Sequence, residues 1–194
     1  PDVYRKHGDQ MIVNMEWGDC ALPEMEPEMT VEEDDDLDRQ SANPGHGRFE
    51  KLISGLYIGD VSRRILQRIA SKTGALEGLL GGTEGSFDGA AVSAVYHDTS
   101  DDLHGVATVM EASFGMCHTT YEERTVVRDV CVMITTRSAR LCAAAIAAVA
   151  AREASRRCSD DGDGDGRVVI SVDGSTFTKF MGYRALVEAA LDEL

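Results

Sequence analysis

The longest regular pattern in the chain runs from Glu122 to Arg157, and it calls for a helix with one buried face. Val127, Val130, Ile134, Ala139, Leu141, Ala145, Ile146 and Val149 form an apolar stripe along it. Ala, Leu and Ile dominate its second half, and such small side chains permit close packing. Arg137, Arg140, Arg152 and Arg156 keep the rest of the surface polar, and Arg156 and Arg157 suit the negative end of the helix dipole. Such a helix needs a bundle or a sheet to pack on. The run Ala143 to Ala151 is short and weakly apolar, so no membrane span is expected there.

A second stripe occupies Phe49 to Ser71, with Phe49, Leu52, Ile53, Leu56, Tyr57, Val61, Ile65, Leu66 and Ile69 at helical spacing. Gly55 and Gly59 lie four apart on it. They serve either close helix packing or close approach of a ligand, and the spacing alone leaves both open. Shorter helices are expected at Ala90 to Tyr96, Leu103 to Phe114 and Thr178 to Leu194. Short strands are expected at Gln10 to Met15 and Val168 to Val172, the latter running into a tight turn at Asp173-Gly174-Ser175. Alternating helix and strand imply an α/β fold, predominantly helical, with helices covering a sheet. At 194 residues the chain is one ordinary domain or part of a larger one.

The net charge of −15 argues against nucleic acid and against docking on anionic lipid. Much of it sits in two acidic loops, 20–43 and 159–166. The first is expected to be a solvated loop, with a metal or basic-partner site as its alternative. The second begins like a calcium loop at Asp161, but Val172 stands where the bidentate acid is needed, so calcium is not expected. Gly81-Gly82-Thr83-Glu84-Gly85-Ser86 lacks the Gly-Lys ending of a phosphate loop and is expected to be surface. The five cysteines form no CxxC pair and no disulfide spacing, which favours a reducing compartment.

Two acids stand out. Glu16 follows Ile12-Val13-Asn14-Met15 and precedes Trp17-Gly18; Glu50 lies in Asn43-Pro44-Gly45-His46-Gly47-Arg48-Phe49-Glu50-Lys51. Each is a carboxylate beside an aromatic ring in an apolar segment, where it is costly to bury without donors. A polyhydroxylated ligand supplies donors, and charge-assisted bonds to it are strong. Paired acids also serve glycoside hydrolysis, and spacing in sequence does not separate the two.

The segments taken together resemble the hexokinase family, and Asn14-Met15-Glu16-Trp17-Gly18 is closest to its plant and green-algal branch. Further resemblance lies in Phe49-Glu50-Lys51-Leu52-Ile53-Ser54-Gly55, Phe87 to Ser93, Val130 to Leu141 and Val169-Ile170-Ser171-Val172-Asp173-Gly174-Ser175. It implies that residues 1–194 are an incomplete large (C-terminal) domain of a hexokinase with the actin-like ATPase fold. It implies an ATP-dependent transfer of phosphate to the 6-hydroxyl of glucose or another hexose, with Mg²⁺ accompanying the ATP. Carried over singly, Glu16 and Glu50 bind the sugar; Gly55, Ser93, Asp173, Gly174 and Ser175 lie on the nucleotide side.

Three positions depart from the family. Gly47 replaces a sugar-bonding Gln, Gly89 replaces a Thr near ATP, and Phe177 replaces a Tyr. The catalytic base and the phosphate loops are expected before Pro1, so no catalytic residue is assigned and the 194 residues alone are expected to lack turnover. The alternatives are a hexokinase-like sugar sensor without catalysis and a degraded product with exposed apolar faces. An intracellular, mainly cytoplasmic location is expected, with plastid or mitochondrial association as variants.

Overall fold

The computed structural model describes residues 16–19, 29–159 and 168–194. Its longest helices follow the sequence pattern, and a 39-residue helix forms the spine. In chain order the helices are α1 (Glu32–Gln40), α2 (Arg48–Ile53), α3 (Gly55–Thr73), α4 (Gly89–Tyr96), α5 (His104–Phe114), α6 (Tyr121–Ser159), α7 (Ser175–Lys179) and α8 (Tyr183–Asp192). Single 3₁₀ turns lie at Trp17–Asp19 and Glu77–Gly81.

Helix α6 starts where its backbone donors find partners. Thr120 Oγ1 accepts from Glu123 N at 3.2 Å, and the Glu123 carboxylate accepts from Thr120 N at 2.8 Å, a reciprocal cap. Val127, Val130, Cys131, Ile134, Ala139, Cys142 and Ala143 are its buried face. The expected stripe is right in its first half. Toward the C-terminus Cys142 and Ala143 carry the burial, while Leu141, Ala145, Ile146 and Val149 are half-buried. By length and composition alone α6 would suit a membrane span, which the short Ala run did not suggest. It packs instead against α8 most extensively, and against α2, α3 and α4.

The stripe from Phe49 is not one helix but two, broken at Ser54. Ser54 is extended (φ −76°, ψ 137°), ends α2 by donating its N–H to Glu50 O, and caps α3. Helix α3 stops at Gly74, whose φ of +73° and N–H bond to Ala70 O make a left-handed cap. Ile58, Val61, Ile65, Leu66 and Ala70 then meet Leu79, Phe87, Val92, Val95, Val106 and Met110 in one core. The tail also divides: Gly182, at φ +76°, separates α7 from α8 where a single helix was expected.

The acidic run departs most from expectation. Its second half is helix α1, and Glu33, Asp34 and Asp38 are buried. Each has a basic partner on another element. Asp34 takes a two-pronged bond from Arg137 of α6 at 2.6 and 2.9 Å. Glu33 meets Arg68 of α3 at 2.6 Å, and Asp38 meets Lys51 of α2 at 2.7 Å. The solvated-loop reading fails because it counted local charge and not distant partners.

No strand is present among the described residues. Gln10 to Met15 and the acidic stretch Asp160 to Gly166 lie outside them. Val168 to Val172 is irregular backbone, and Val169 is 87% exposed. A strand needs a neighbour to pair its N–H and C=O groups, and none lies alongside among the described residues.

Candidate functional site

On the first side of the site, the Trp17–Asp19 turn lies directly on α2. The Trp17 and Phe49 rings are 5.7 Å apart and tilted by 47°. Gly18 faces Glu50: a Cβ there would stand 3.3 Å from Glu50 Cβ and 3.5 Å from its Cγ. Gly18, which the sequence reading left without a role, is what lets the turn sit this close. Glu16 directly precedes the turn that rests on Glu50, and both acids are exposed. Exposure removes the burial cost inferred from their apolar neighbours. Glu16 also has a φ of 41°, uncommon for a non-glycine residue.

What fixes Glu50 lies beneath it. Lys51 is 4% exposed, and its ammonium donates to Asp38 Oδ1 at 2.7 Å, His46 O at 2.8 Å and Asn43 O at 2.9 Å. All three of its protons are used. Asp38 accepts in addition from Gly45 N at 3.0 Å and from Arg48 at 3.3 Å. Burial alone would raise the Asp38 pKa; the bond from Lys51, the Gly45 amide and the charges of Lys51 and Arg48 outweigh it and hold it below the ordinary value of 3.8. The Asn43–Gly47 turn is therefore pinned from inside. Gly47 caps α2 at φ 59°, ψ 33°, a left-handed conformation that favours glycine over a longer side chain.

On the second side, glycines bring three segments together. A Cβ on Gly89 would stand 2.5 Å from Gly55 O, and one on Gly55 would stand 2.6 Å from Thr176 Oγ1. Gly59 is tighter still, with Phe87 O at 2.3 Å from its would-be Cβ. Close packing therefore accounts for Gly59. Gly55 also donates its N–H to Thr176 Oγ1 at 2.7 Å. That bond ties the start of α3 to the Asp173-Gly174-Ser175 turn, whose residues are all exposed. Gly174 has a φ of 148°, and its carbonyl accepts from Thr178 N at 3.0 Å to start α7. Ser93 is half-buried one turn along α4 from Gly89, and its carbonyl takes both the His97 N–H and His97 Nδ1 at 3.2 and 2.9 Å.

The sequence reading missed Asp38, Lys51, Ser138 and Thr176. Nothing local marks Thr176 as the partner of Gly55, because the contact spans 121 residues. The Gly81 to Ser86 segment is held by its backbone, with Gly82 O accepting from Gln67 at 3.0 Å and Arg63 at 3.2 Å, consistent with a structural loop. No group of three or more His, Cys, Asp or Glu side chains is gathered for a metal among the described residues.

Comparison with known proteins shows the family. A family model described as hexokinase matches residues 2–194. Hexokinase-1 of Oryza sativa subsp. japonica is 38% identical over 187 residues, covering 95% of this chain and 36% of that protein. Hexokinase-1 of Spinacia oleracea is 32% identical over 204 residues, covering 99% of this chain and 39% of that protein. A solved hexokinase superposes with a TM-score of 0.75 at 26% identity, covering 100% of this chain and 40% of the other. A Schistosoma mansoni hexokinase complexed with glucose gives the same TM-score at 24% identity over 93% of this chain, a likeness of fold. The chain thus spans between a third and two fifths of the length of these relatives. With a match over nearly its whole length, the chain belongs to the hexokinase family.

Proposed function

We propose that the chain binds a hexose and the adenosine side of ATP within an ATP-dependent hexokinase, which transfers the γ-phosphoryl group to the sugar 6-hydroxyl. The observation that carries this is the Trp17–Asp19 turn resting on Glu50, which brings the segment that follows the exposed Glu16 onto the helix that carries the exposed Glu50. In this reading Glu16 and Glu50 accept hydrogen bonds from neighbouring sugar hydroxyls. Gly55, Ser93, Asp173, Gly174 and Ser175 line the nucleotide side. Magnesium, in this reading, arrives with the ATP phosphates. The chain, in this reading, is an incomplete large domain of the actin-like ATPase type, predominantly helical with a few strands.

Phosphoryl transfer needs positioning, charge neutralisation and a base for the attacking hydroxyl. Among the described residues the buried acids are already committed: Asp34 to Arg137, Asp38 to Lys51, Glu33 to Arg68, Asp60 to Arg63 and Arg64, and Asp98 to backbone amides. In this reading the chain contributes binding, and in isolation it is expected to phosphorylate glucose no faster than background. Turnover clearly above background would overturn that assignment.

A second reading is a hexokinase-like sugar sensor. Gly47 favours it, because a left-handed glycine stands where the family resemblance puts a sugar-bonding Gln. Losing one such bond costs about 1 kcal/mol of affinity, which weakens binding without abolishing it.

The deciding experiment is a titration with glucose followed by the fluorescence of Trp17, the single tryptophan of the chain. Glucose is the first sugar to try because the Schistosoma mansoni hexokinase is complexed with it. A saturable change is expected, lost in Glu16→Ala and in Glu50→Ala. An identical response in both variants would sink the sugar assignment.

A further inference from the structure

We propose that the break between α2 and α3 is held by a clamp of hydroxyls, in which Ser138 positions the sugar side and Thr176 the nucleotide side. This inference rests on the functional reading above. A helix interrupted at Ser54 strands backbone groups on both sides of the interruption, among them Ile53 O and Gly55 N. Ile53 O would ordinarily accept from Tyr57 N, but Tyr57 N donates to Ser54 O at 3.0 Å. Gly55 N is the first donor of α3 and has no acceptor within its own helix.

Both groups are met by residues far away in sequence. Ser138 Oγ donates to Ile53 O at 2.9 Å, from the middle of α6. A serine hydroxyl has one proton, so Tyr183 must be the donor in its 2.6 Å contact with Ser138 Oγ. Ser138 is fully buried and Tyr183 is 2% exposed, so no water substitutes for either. On the other side Thr176 Oγ1 accepts from Gly55 N at 2.7 Å. Thr176 follows the Asp173-Gly174-Ser175 turn directly, and Ile53 ends the helix that carries Glu50. One clamp therefore fixes the spacing between the sugar acid and the adenosine turn.

The two halves of the clamp are separable. Thr176→Val keeps the shape and removes the acceptor, and Thr176→Ser restores it. ATP affinity, measured by calorimetry, is expected to fall about fivefold or more in Thr176→Val, the worth of one hydrogen bond. Glucose affinity by Trp17 fluorescence is expected to change less than about twofold. Ser138→Ala should show the opposite order, with glucose weakened more than ATP. Thr176→Ser should return to wild-type ATP affinity. Loss of general stability would lower both ligands together in both variants and would overturn the proposal. Wild-type binding of both ligands with unchanged ATP affinity in Thr176→Val would overturn it alone. Failure of the wild type to bind either ligand would overturn the functional reading and the clamp with it. Amide exchange in the unmodified protein is a check that needs no variant: Gly55 N–H is expected to be protected, and exchange at the rate of an open amide refutes the clamp.

Discussion

Around Glu50 the scaffold is made of buried charges, and around Gly174 it is made of neutral contacts. Helix α1 and the Asn43–Gly47 turn are held by Asp34–Arg137, Asp38–Lys51 and Glu33–Arg68, with Asp34, Asp38 and Lys51 all nearly excluded from water. The Gly174 turn is exposed and is tied down by Thr176 on Gly55 and by the close glycine crossings at Gly55, Gly59 and Gly89. Buried charges are severe about partners: they cost much if one is removed, yet add little net stability over an apolar pair. Neutral contacts and close packing are milder and independent of pH and salt. The two sides of the candidate site should therefore fail differently.

Removing one member of the innermost pair tests this most sharply. Lys51→Met leaves Asp38 buried with only Arg48 and Gly45 beside it and should cost about 3–5 kcal/mol in urea unfolding. A loss under about 1 kcal/mol would mean that water reaches Asp38, which would erase the distinction.

Overfilling the glycine crossings comes next. Gly59→Ala places a methyl 2.3 Å from Phe87 O and Gly89→Ala places one 2.5 Å from Gly55 O. Each should destabilise by about 1–3 kcal/mol, with no dependence on pH between 5 and 8. Thermal melts at several pH values check both the size and the pH independence.

Acid should act on the charged side first. Asp38 is held below its ordinary value of 3.8, and so is Asp98, whose burial is outweighed by Ser100 and by the Val106 and Gly105 amides. A carboxylate with a depressed folded pKa contributes stability that is complete above the unfolded value and is lost as pH falls through the folded one. Stability should therefore hold down to about pH 4 and decline below it, and Asp38→Asn should flatten that decline. An unchanged acid profile in Asp38→Asn would remove Asp38 from the account. Thiols matter little in this range, since burial pushes Cys142 up to about 11.

The smallest effect is expected at exposed pairs. Arg140–Glu193 and Arg184–Glu188 have side chains more than half exposed. Arg140→Gln and Arg184→Gln should each shift stability by less than about 0.5 kcal/mol, less again at high salt. A larger shift would show that surface charge contributes where the comparison says it does not.

Helical periodicity made α3, α4, α5 and α6 legible, because a buried stripe is a local property of sequence. The break at Ser54 was half visible: Ser-Gly is a capping pair, but Leu56 and Tyr57 continue the stripe across it. The cap at Thr120 and Glu123 is legible as Thr followed three residues later by Glu. Helix α1 was not readable, because Glu33, Asp34 and Asp38 look solvated until Arg68, Arg137 and Lys51 are placed beside them. The strand at Val168 to Val172 went the other way: its alternation is genuine, but a strand forms only with a partner. Of the candidate site, the acids at 16 and 50 and the glycines were found by resemblance, and the groups holding them were found only in three dimensions.

Arg137 and Ser138 are neighbours on α6, yet they reach in different directions. Arg137 grips the acidic helix and Ser138 grips the carbonyl of Ile53. Both grips belong to one rod, about 58 Å long at the usual rise for its 39 residues. Adjacent residues on a rigid rod cannot separate, so the charged side and the Ser54 break travel as a single body. Any hinge that opens or closes the site over a ligand must therefore lie beyond this joint.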